Sequence, residues 1–391
     1  MSHKTYNFDT VIDRTNTNCV KWDLRSLFFK NPDLIPLWVA DMDFETPDFI
    51  LEKLRERLDH PVLGYTFRPK EFNQAFQSWA LRKYNWDIHP DWIGFSPGVV
   101  SAVSLAVMAF TNPGDEVIVQ PPVYFPFFKS IEGLNRNLVH NQLKEENGRL
   151  CMDYDNLEKV ITSKTRMLIL CNPHNPGGSA WTVEELNKLA RICSKHDVFV
   201  LSDEIHADLV FEPAVHTPFI KASEETGVKT IATLAASKSF NLAGLATSLV
   251  VIPDQGIKKQ YEDLLQTIHI GGGNLFGAIA TMSAYSEGWD WMQQLLAYLK
   301  SNRDFLVEYV QRELPAVRVL VPEATYLAWM DFSKLGISQE ELNDLIYNKA
   351  GIGLNTGTMF GPGGEGFMRL NFASPKQQLR QALKQLKAAL T

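Results

Sequence analysis

The sequence predicts an α/β protein. A mostly parallel sheet flanked by helices is expected over residues 60–285, with a smaller α+β unit built from both chain ends, 1–59 and 286–391. Three observations predict it. From about residue 90, short continuous apolar runs rich in β-branched residues alternate with helical segments, as strands buried on both faces require. That alternation implies right-handed crossovers and parallel neighbours. After about residue 285 the pattern changes to one long amphipathic helix followed by further strands and helices.

Each element follows in order. The first 60 residues are rich in Pro and Asp, with a helix expected near 47–58. "WIGFS" reads as a strand, "VVSAVSLAVMAF" as a buried helix and "EVIVQ" as the next strand. "RMLIL", the helix "TVEELNKLARICSKH", "VFVLSDE", "TIATLAA" and "SLVVIP" complete the series. The smaller unit opens with the helix "WDWMQQLLAYLKSNRDFLVEYVQREL". Strands "VRVLV" and "TYLAWMDF", a helix near 338–349, the strand "GFMRLNFA" and the helix "KQQLRQALKQLKAAL" follow.

Composition narrows the class. Of the 391 residues 45% are hydrophobic, enough for a large core. A net charge of −7 and no basic run argue against a nucleic-acid partner. The four cysteines, Cys19, Cys151, Cys171 and Cys193, are scattered without a C-x-x-C pair, so reduced thiols are expected. "MSHKTYNFDT" has no apolar h-region, and "VVSAVSLAVMAF" is too short to span a bilayer. A cytoplasmic protein without a membrane partner is expected.

In open parallel sheets, ligands bind beyond the carboxyl ends of the strands. Four clusters fall there. "SPGVV" (96–100) puts a helix N-terminus after a strand: an anion site, or a plain strand-to-helix turn. It fits neither nucleotide-loop pattern. In "NPHNPGG", two prolines restrict Asn172, His174 and Asn175, so a rigid amide can donate one hydrogen bond; a turn-rich loop is the alternative. Asp203, in "LSDEIH", could face a cationic ring nitrogen, cap a helix, or join Glu204 and His206 at a metal. Strand geometry sends neighbours to opposite faces, and no H-E-x-x-H is present, so no metal is expected.

Lys238, in "ATLAASKSFNLAGL", is the one charge among small and apolar residues. It reads as a surface lysine, a phosphate-binding charge or a Schiff-base amine. Burial of an unpaired ammonium is costly, and desolvation lowers its pKa as imine chemistry needs. An anion cradle, an amide, a carboxylate and an amine are together the four handles of pyridoxal 5′-phosphate. Tyr124, in "PPVYFPFF", could stack on its ring or be a core aromatic.

These motifs, with "RLNFA" after them, resemble the fold-type I pyridoxal-phosphate enzymes, the aspartate aminotransferase superfamily, over nearly the whole chain. "PLWVADMDF", "GYTFRP", "SKSFNLAGLATS" and "GLNTGTMFGPGGEGFMRLNFA" are similar to the MalY/PatB group of carbon–sulfur β-lyases. The resemblance implies a catalytic set of Lys238, Tyr124 and Asp203. Lys238 would hold the cofactor as a Schiff base, Asp203 would pair with the ring nitrogen, Asn175 would bond the ring hydroxyl and Tyr124 would stack. Gly98, Val99, Val100 and Ser237 would hold phosphate, with His206 also among the cofactor-binding residues. Arg369 would clamp the substrate carboxylate, and its fork suits that role; a surface ion pair is the alternative. Tyr65 would reach the neighbouring subunit's phosphate, implying a homodimer with shared sites.

Specificity would lie with Trp38, Tyr65, Asn274, Asn355 or Met359. "GGGN" (271–274) reads as a break between helices. Many aminotransferases have an arginine where this chain has Ala246 and a serine where it has Ala235; the missing arginine agrees with the lyase group. Ser179 stands where many relatives have a basic residue. The implied reaction is β-elimination from L-cystathionine or another S-substituted cysteine, with a class I/II aminotransferase as the alternative.

Overall fold

The computed structural model describes residues 4–391. The larger sheet has seven strands: β1 (Ile93–Ser96), β2 (Glu116–Val119), β3 (Asn137–His140), β4 (Thr165–Cys171), β5 (Phe199–Asp203), β6 (Thr230–Leu234) and β7 (Ser248–Val251). Their spatial order is β1-β7-β6-β5-β4-β2-β3. From β6 across to β3 every neighbouring pair is parallel. Only β7 runs antiparallel to both its neighbours. The connection into it holds only a short 3₁₀ turn, Ala243–Leu245, and a parallel return needs a full crossover. Every residue of β5, β6 and β7 is buried, as expected of apolar runs without alternation. The edge strand β3 is only partly buried, and four residues at an edge leave too weak a pattern to read.

Eight longer helices surround the sheets: α1 (Asp48–Leu58), α2 (Lys70–Tyr84), α3 (Val99–Phe110), α4 (Val183–Lys195), α5 (Gln255–Thr267), α6 (Leu275–Glu287), α7 (Trp289–Glu313) and α8 (Lys376–Leu390). In α3, Ala102, Val103, Ala106 and Val107 are sealed against the strands. The start of α4 is fixed by reciprocal bonds between Thr182 and Glu185, a capping box. The sequence reading gives no helix at α2, whereas α5 and α6 flank the expected break at 271–274. The helix expected near 338–349 is α-helical over Gln339–Asp344 and continues as one π turn, Leu345–Lys349.

The smaller sheet is antiparallel: β8 (Arg318–Leu320), β9 (Leu327–Asp331), β10 (Asn355–Thr356) and β11 (Phe367–Asn371), in the order β8-β9-β11-β10. The N-terminal segment joins it. Ile35–Pro36 pairs in parallel with Ile352–Gly353, and the Leu37 carbonyl accepts from Asn371 N at 2.9 Å. Helices α7 and α8 share one apolar core with this sheet through Leu299, Leu306, Leu383 and Leu386. Among the described residues, no helix is long and apolar enough to cross a membrane.

Candidate active site

The strands bring five connections to one edge of the larger sheet. A cavity of about 270 Å³ opens there. Gly98, Val99 and Val100 enter it from the start of α3, and Tyr124 follows β2. Asn175 follows β4, Asp203 and His206 close β5, and Ser237 and Lys238 follow β6. All nine residues were anticipated at a site, and the fold brings them together.

At one end lies an anion cradle. Gly98 has φ +116°, a conformation that favours glycine, and no side chain caps α3. The first-turn N–H groups and the positive helix end thus face the cavity beside Ser237.

Lys238 stands half-buried across from the cradle. Its ammonium donates to the Ala40 carbonyl at 2.6 Å, a neutral partner rather than a carboxylate. Burial pulls its pKa down to about 8, against the opposing field of Asp41. Its loop is firmly held: Ser239 Oγ donates to Asp208 at 2.6 Å, and Trp291 Nε1 donates to the Ser239 carbonyl. Asp208 also accepts from Trp79 at 2.7 Å and from the Tyr84 hydroxyl.

Asp203 shows the reverse imbalance. Only 3% exposed, its carboxylate accepts the Ile205 N–H at 3.1 Å, and burial pushes its pKa up to about 7. A buried carboxylate facing a cavity without a bonded cation is costly unless a ligand supplies one. His206 is buried edge-on to Tyr326, with Nδ1 unbonded; burial, then Lys238 and Arg369, hold it neutral.

Arg369 stands behind Asn175. Its guanidinium donates to Asn175 Oδ1 (3.0 Å), the Trp38 carbonyl (2.9 Å) and Asn355 Oδ1 (2.7 Å). It is 3% exposed, Nε has no partner, and burial lowers its pKa to about 10. Every acceptor is neutral, so this is a cation that still lacks an anion.

An amine, a carboxylate and a helix N-terminus line one cavity, and an arginine stands behind its Asn175 wall; each is short of its natural counter-charge. That imbalance fits the aldehyde, pyridinium and phosphate of pyridoxal 5′-phosphate and the carboxylate of an amino acid. Among the described residues no cluster of three His, Cys, Asp or Glu could hold a metal. Glu204 is turned away from Asp203 towards Ser202, His216 and the Phe219 N–H.

Trp38, Tyr65, Ser179, Asn274 and Asn355 lie outside the cavity lining. The Trp38 ring does not reach the substrate region; it packs on Phe28 and Phe29 and donates to the Lys21 carbonyl, leaving only its own carbonyl at Arg369. Asn355 accepts from Arg369 and does not line the cavity. Asn274 caps α6, accepting from Gly277 N at 2.6 Å and donating to the Leu245 carbonyl, so "GGGN" is a helix break. Tyr65 is fully exposed, outside the cavity of its own chain. Ser179 is buried and bonds the Leu150 carbonyl, while Arg149 nearby pairs with Glu185 and Glu323.

Sequence reading missed Ala40, whose carbonyl holds Lys238, and Tyr326, whose hydroxyl donates to that carbonyl at 2.9 Å. A main-chain acceptor carries no residue signature. Tyr326 sits beside a strand that reads as ordinary core.

The family Aminotransferase class I and II matches residues 32–386. Cystathionine beta-lyase PatB of Bacillus subtilis is 43% identical over 98% of this chain and all of its own. Protein MalY of Escherichia coli is 31% identical over 97% of each chain. The structure of the PLP-bound C–S lyase of Staphylococcus hominis superposes with a TM-score of 0.92 at 34% identity, covering 99% of both chains. The chain belongs to the aminotransferase class I and II family, alongside PatB and MalY.

Proposed function

We propose that this chain is a pyridoxal 5′-phosphate-dependent carbon–sulfur β-lyase acting on L-cystathionine or a related S-substituted cysteine. The observation that carries the cofactor is the pair of uncompensated groups on one cavity, Lys238 and Asp203. The reaction class is supported by the relatives named above and by Ala246, a methyl-bearing residue on the cavity wall where many aminotransferases carry arginine.

Bound there, pyridoxal phosphate would supply an aldehyde that joins primary amines and a ring that accepts electrons. The chain's residues do the rest. Gly98, Val99, Val100 and Ser237 would hold the phosphate. Asp203 would keep the ring nitrogen protonated, and a cation there would return the carboxyl to its ionised form. Asn175, its Oδ1 taken by Arg369, has Nδ2 left to donate to the ring hydroxyl. Tyr124, on the cavity wall, would stack on the ring.

Arg369 grips the substrate carboxylate and so orients the Cα–H bond. Lys238, with its basicity brought near neutrality, takes the Cα proton as general base. A thiolate then departs from Cβ, and water completes conversion of the remainder to pyruvate and ammonia. L-Cystathionine would give homocysteine.

In this reading residues 60–285 carry the cofactor and the two chain ends form the smaller domain. Two copies share their sites. The exposed apolar stretch Val62, Leu63, Tyr65 and Phe67 supports that pairing, because such a run in solvent calls for cover. Four free thiols and the acidic net charge support a cytoplasmic setting.

The deciding experiment is a substrate panel scored for pyruvate. Pyruvate from L-cystathionine without any added keto acid is expected. Turnover that appears only with a keto acid would replace this reading with an aminotransferase.

A further inference from the structure

The N-terminal segment crosses the site as a strap whose every carbonyl is used. From Leu37 to Met42, six consecutive main-chain oxygens accept hydrogen bonds from elsewhere in the chain. Leu37 accepts from Asn371 N and Trp38 from Arg369. Val39 and Asp41 both accept from Asn371 Nδ2, at 2.6 and 2.7 Å. Ala40 accepts from Lys238 and Tyr326, and Met42 from Arg14 and Asn241. The two cations assigned to substrate chemistry, Lys238 and Arg369, are therefore held by carbonyls two residues apart on one strap.

Charged side chains fix the same strap. Arg14 bridges Asp41 and Asp43, each at 2.6 Å. Lys21, with no exposure at all, pairs with Asp43 at 2.7 Å and lies 3.6 Å from Asp41. Trp22 Nε1 adds a bond to Asp43 at 3.0 Å. A fully buried lysine in a four-charge cluster is an expensive way to hold a loop, since packed apolar residues would serve stability as well. The cluster sits directly beside Ala40, with Asp41 as its neighbour in sequence.

We propose that the Arg14–Lys21–Asp41–Asp43 cluster is a positioning device for the active site: it locks the strap so that the Ala40 carbonyl stays on Lys238, and Arg14 limits how much of the Asp41 charge the Lys238 amine feels. Asp41, Arg14, Lys21 and Asp43 are positioning residues and touch no reacting atom. This rests on the role given to Lys238 above, but not on the identity of the substrate.

The charges facing Lys238 come from every packed element. Asp41 on the strap and Asp203 on β5 favour the ammonium, Arg369 on β11 opposes it, and His206 is neutral. Asp41 itself is held below the usual carboxylate range: burial works against this, and Lys21 and Arg14 overcome it. Removing one member of the cluster should thus move Lys238 in a direction set by the sign of the charge removed.

The test is competitive labelling of full-length, cofactor-free protein with trace acetic anhydride across pH, reading Lys238 acylation by peptide mass spectrometry. Asp41→Asn is expected to lower the Lys238 midpoint by about half a pH unit or more. Arg14→Gln, which frees Asp41, is expected to raise it. Simple loosening that admits water would raise both, so an Asp41→Asn midpoint at or above wild type in folded protein overturns the proposal. If Asp41→Asn does not fold, Arg14→Gln and the charge-keeping Arg14→Lys decide together: only the first should raise the midpoint, and an unmoved midpoint in Arg14→Gln or an equal rise in both overturns the proposal. The labelling needs no substrate, so failure of the lyase reading in the pyruvate assay leaves this result independent.

Discussion

Arg369 Nη1 donates to Asn175 Oδ1 at 3.0 Å, joining residues 194 apart in sequence and tying the smaller sheet to a loop of the larger one. The bond uses the acceptor end of the amide and points its donor end at the cavity. It also leaves the guanidinium without a negative partner, ready for a carboxylate.

Asn175→Asp should therefore inhibit by self-occupation. The new carboxylate would pair with Arg369 and compete with the substrate for it. We expect KM to rise about tenfold or more, equivalent to ~1.4 kcal/mol, and steady-state kinetics checks this. Arg369→Lys loses the planar fork and should lower kcat/KM by roughly 100-fold, ~2.7 kcal/mol.

Asp203→Asn separates stability from function. The folded pKa of Asp203 is raised from 3.8 to about 7, so its contribution to stability is full below 3.8. It is lost as pH climbs from there through 7. Cofactor-free Asp203→Asn should melt higher than cofactor-free wild type at pH 7.5, on the order of 2 °C or more, and the gap should close near pH 4. Bound pyridoxal phosphate should reverse the order. Calorimetry at the two pH values with and without the cofactor is the measurement.

Lys238→Ala should abolish borohydride-stable attachment of pyridoxal phosphate. In wild type the added mass should map to the peptide spanning 232–245. Attachment of equal yield in the variant would remove Lys238 from the central role.

The helix break at 271–274 should matter to the cavity it supports. Asn274→Ala removes the α6 cap and should cost about 1 kcal/mol in denaturant unfolding. Gly277→Ala should cost more. A Cβ there would lie 1.9 Å from Thr247 Oγ1 and 2.7 Å from the Leu245 carbonyl, and Thr247 lines the cavity. Fluorescence titration should show weaker pyridoxal phosphate retention in that variant.

Much of this site was legible because parallel strands end at one edge. Once "RMLIL", "VFVLS" and "TIATLAA" are read as parallel strands, whatever follows them must converge, and Asn175, Asp203 and Lys238 do. Trp38 shows the opposite case. Its position beside the site was readable, but the direction of its ring depends on Phe28 and Phe29 from another turn of the chain.

The sequence by itself determined the chemistry-bearing residues, the helix-and-strand rhythm and the lone charge in "AASKSFN". Local pattern suffices there, because periodicity, capping and turn chemistry act over a few residues. Tertiary structure alone decided the partners. Nothing local pairs Lys238 with the Ala40 carbonyl, Arg369 with Asn175, or Lys21 with Asp43. Those bonds depend on where the whole chain brings distant backbone and charge. Burial in that tertiary setting, with the charges of Asp41, Arg369 and Asp203 around it, sets how far the Lys238 amine departs from an ordinary lysine.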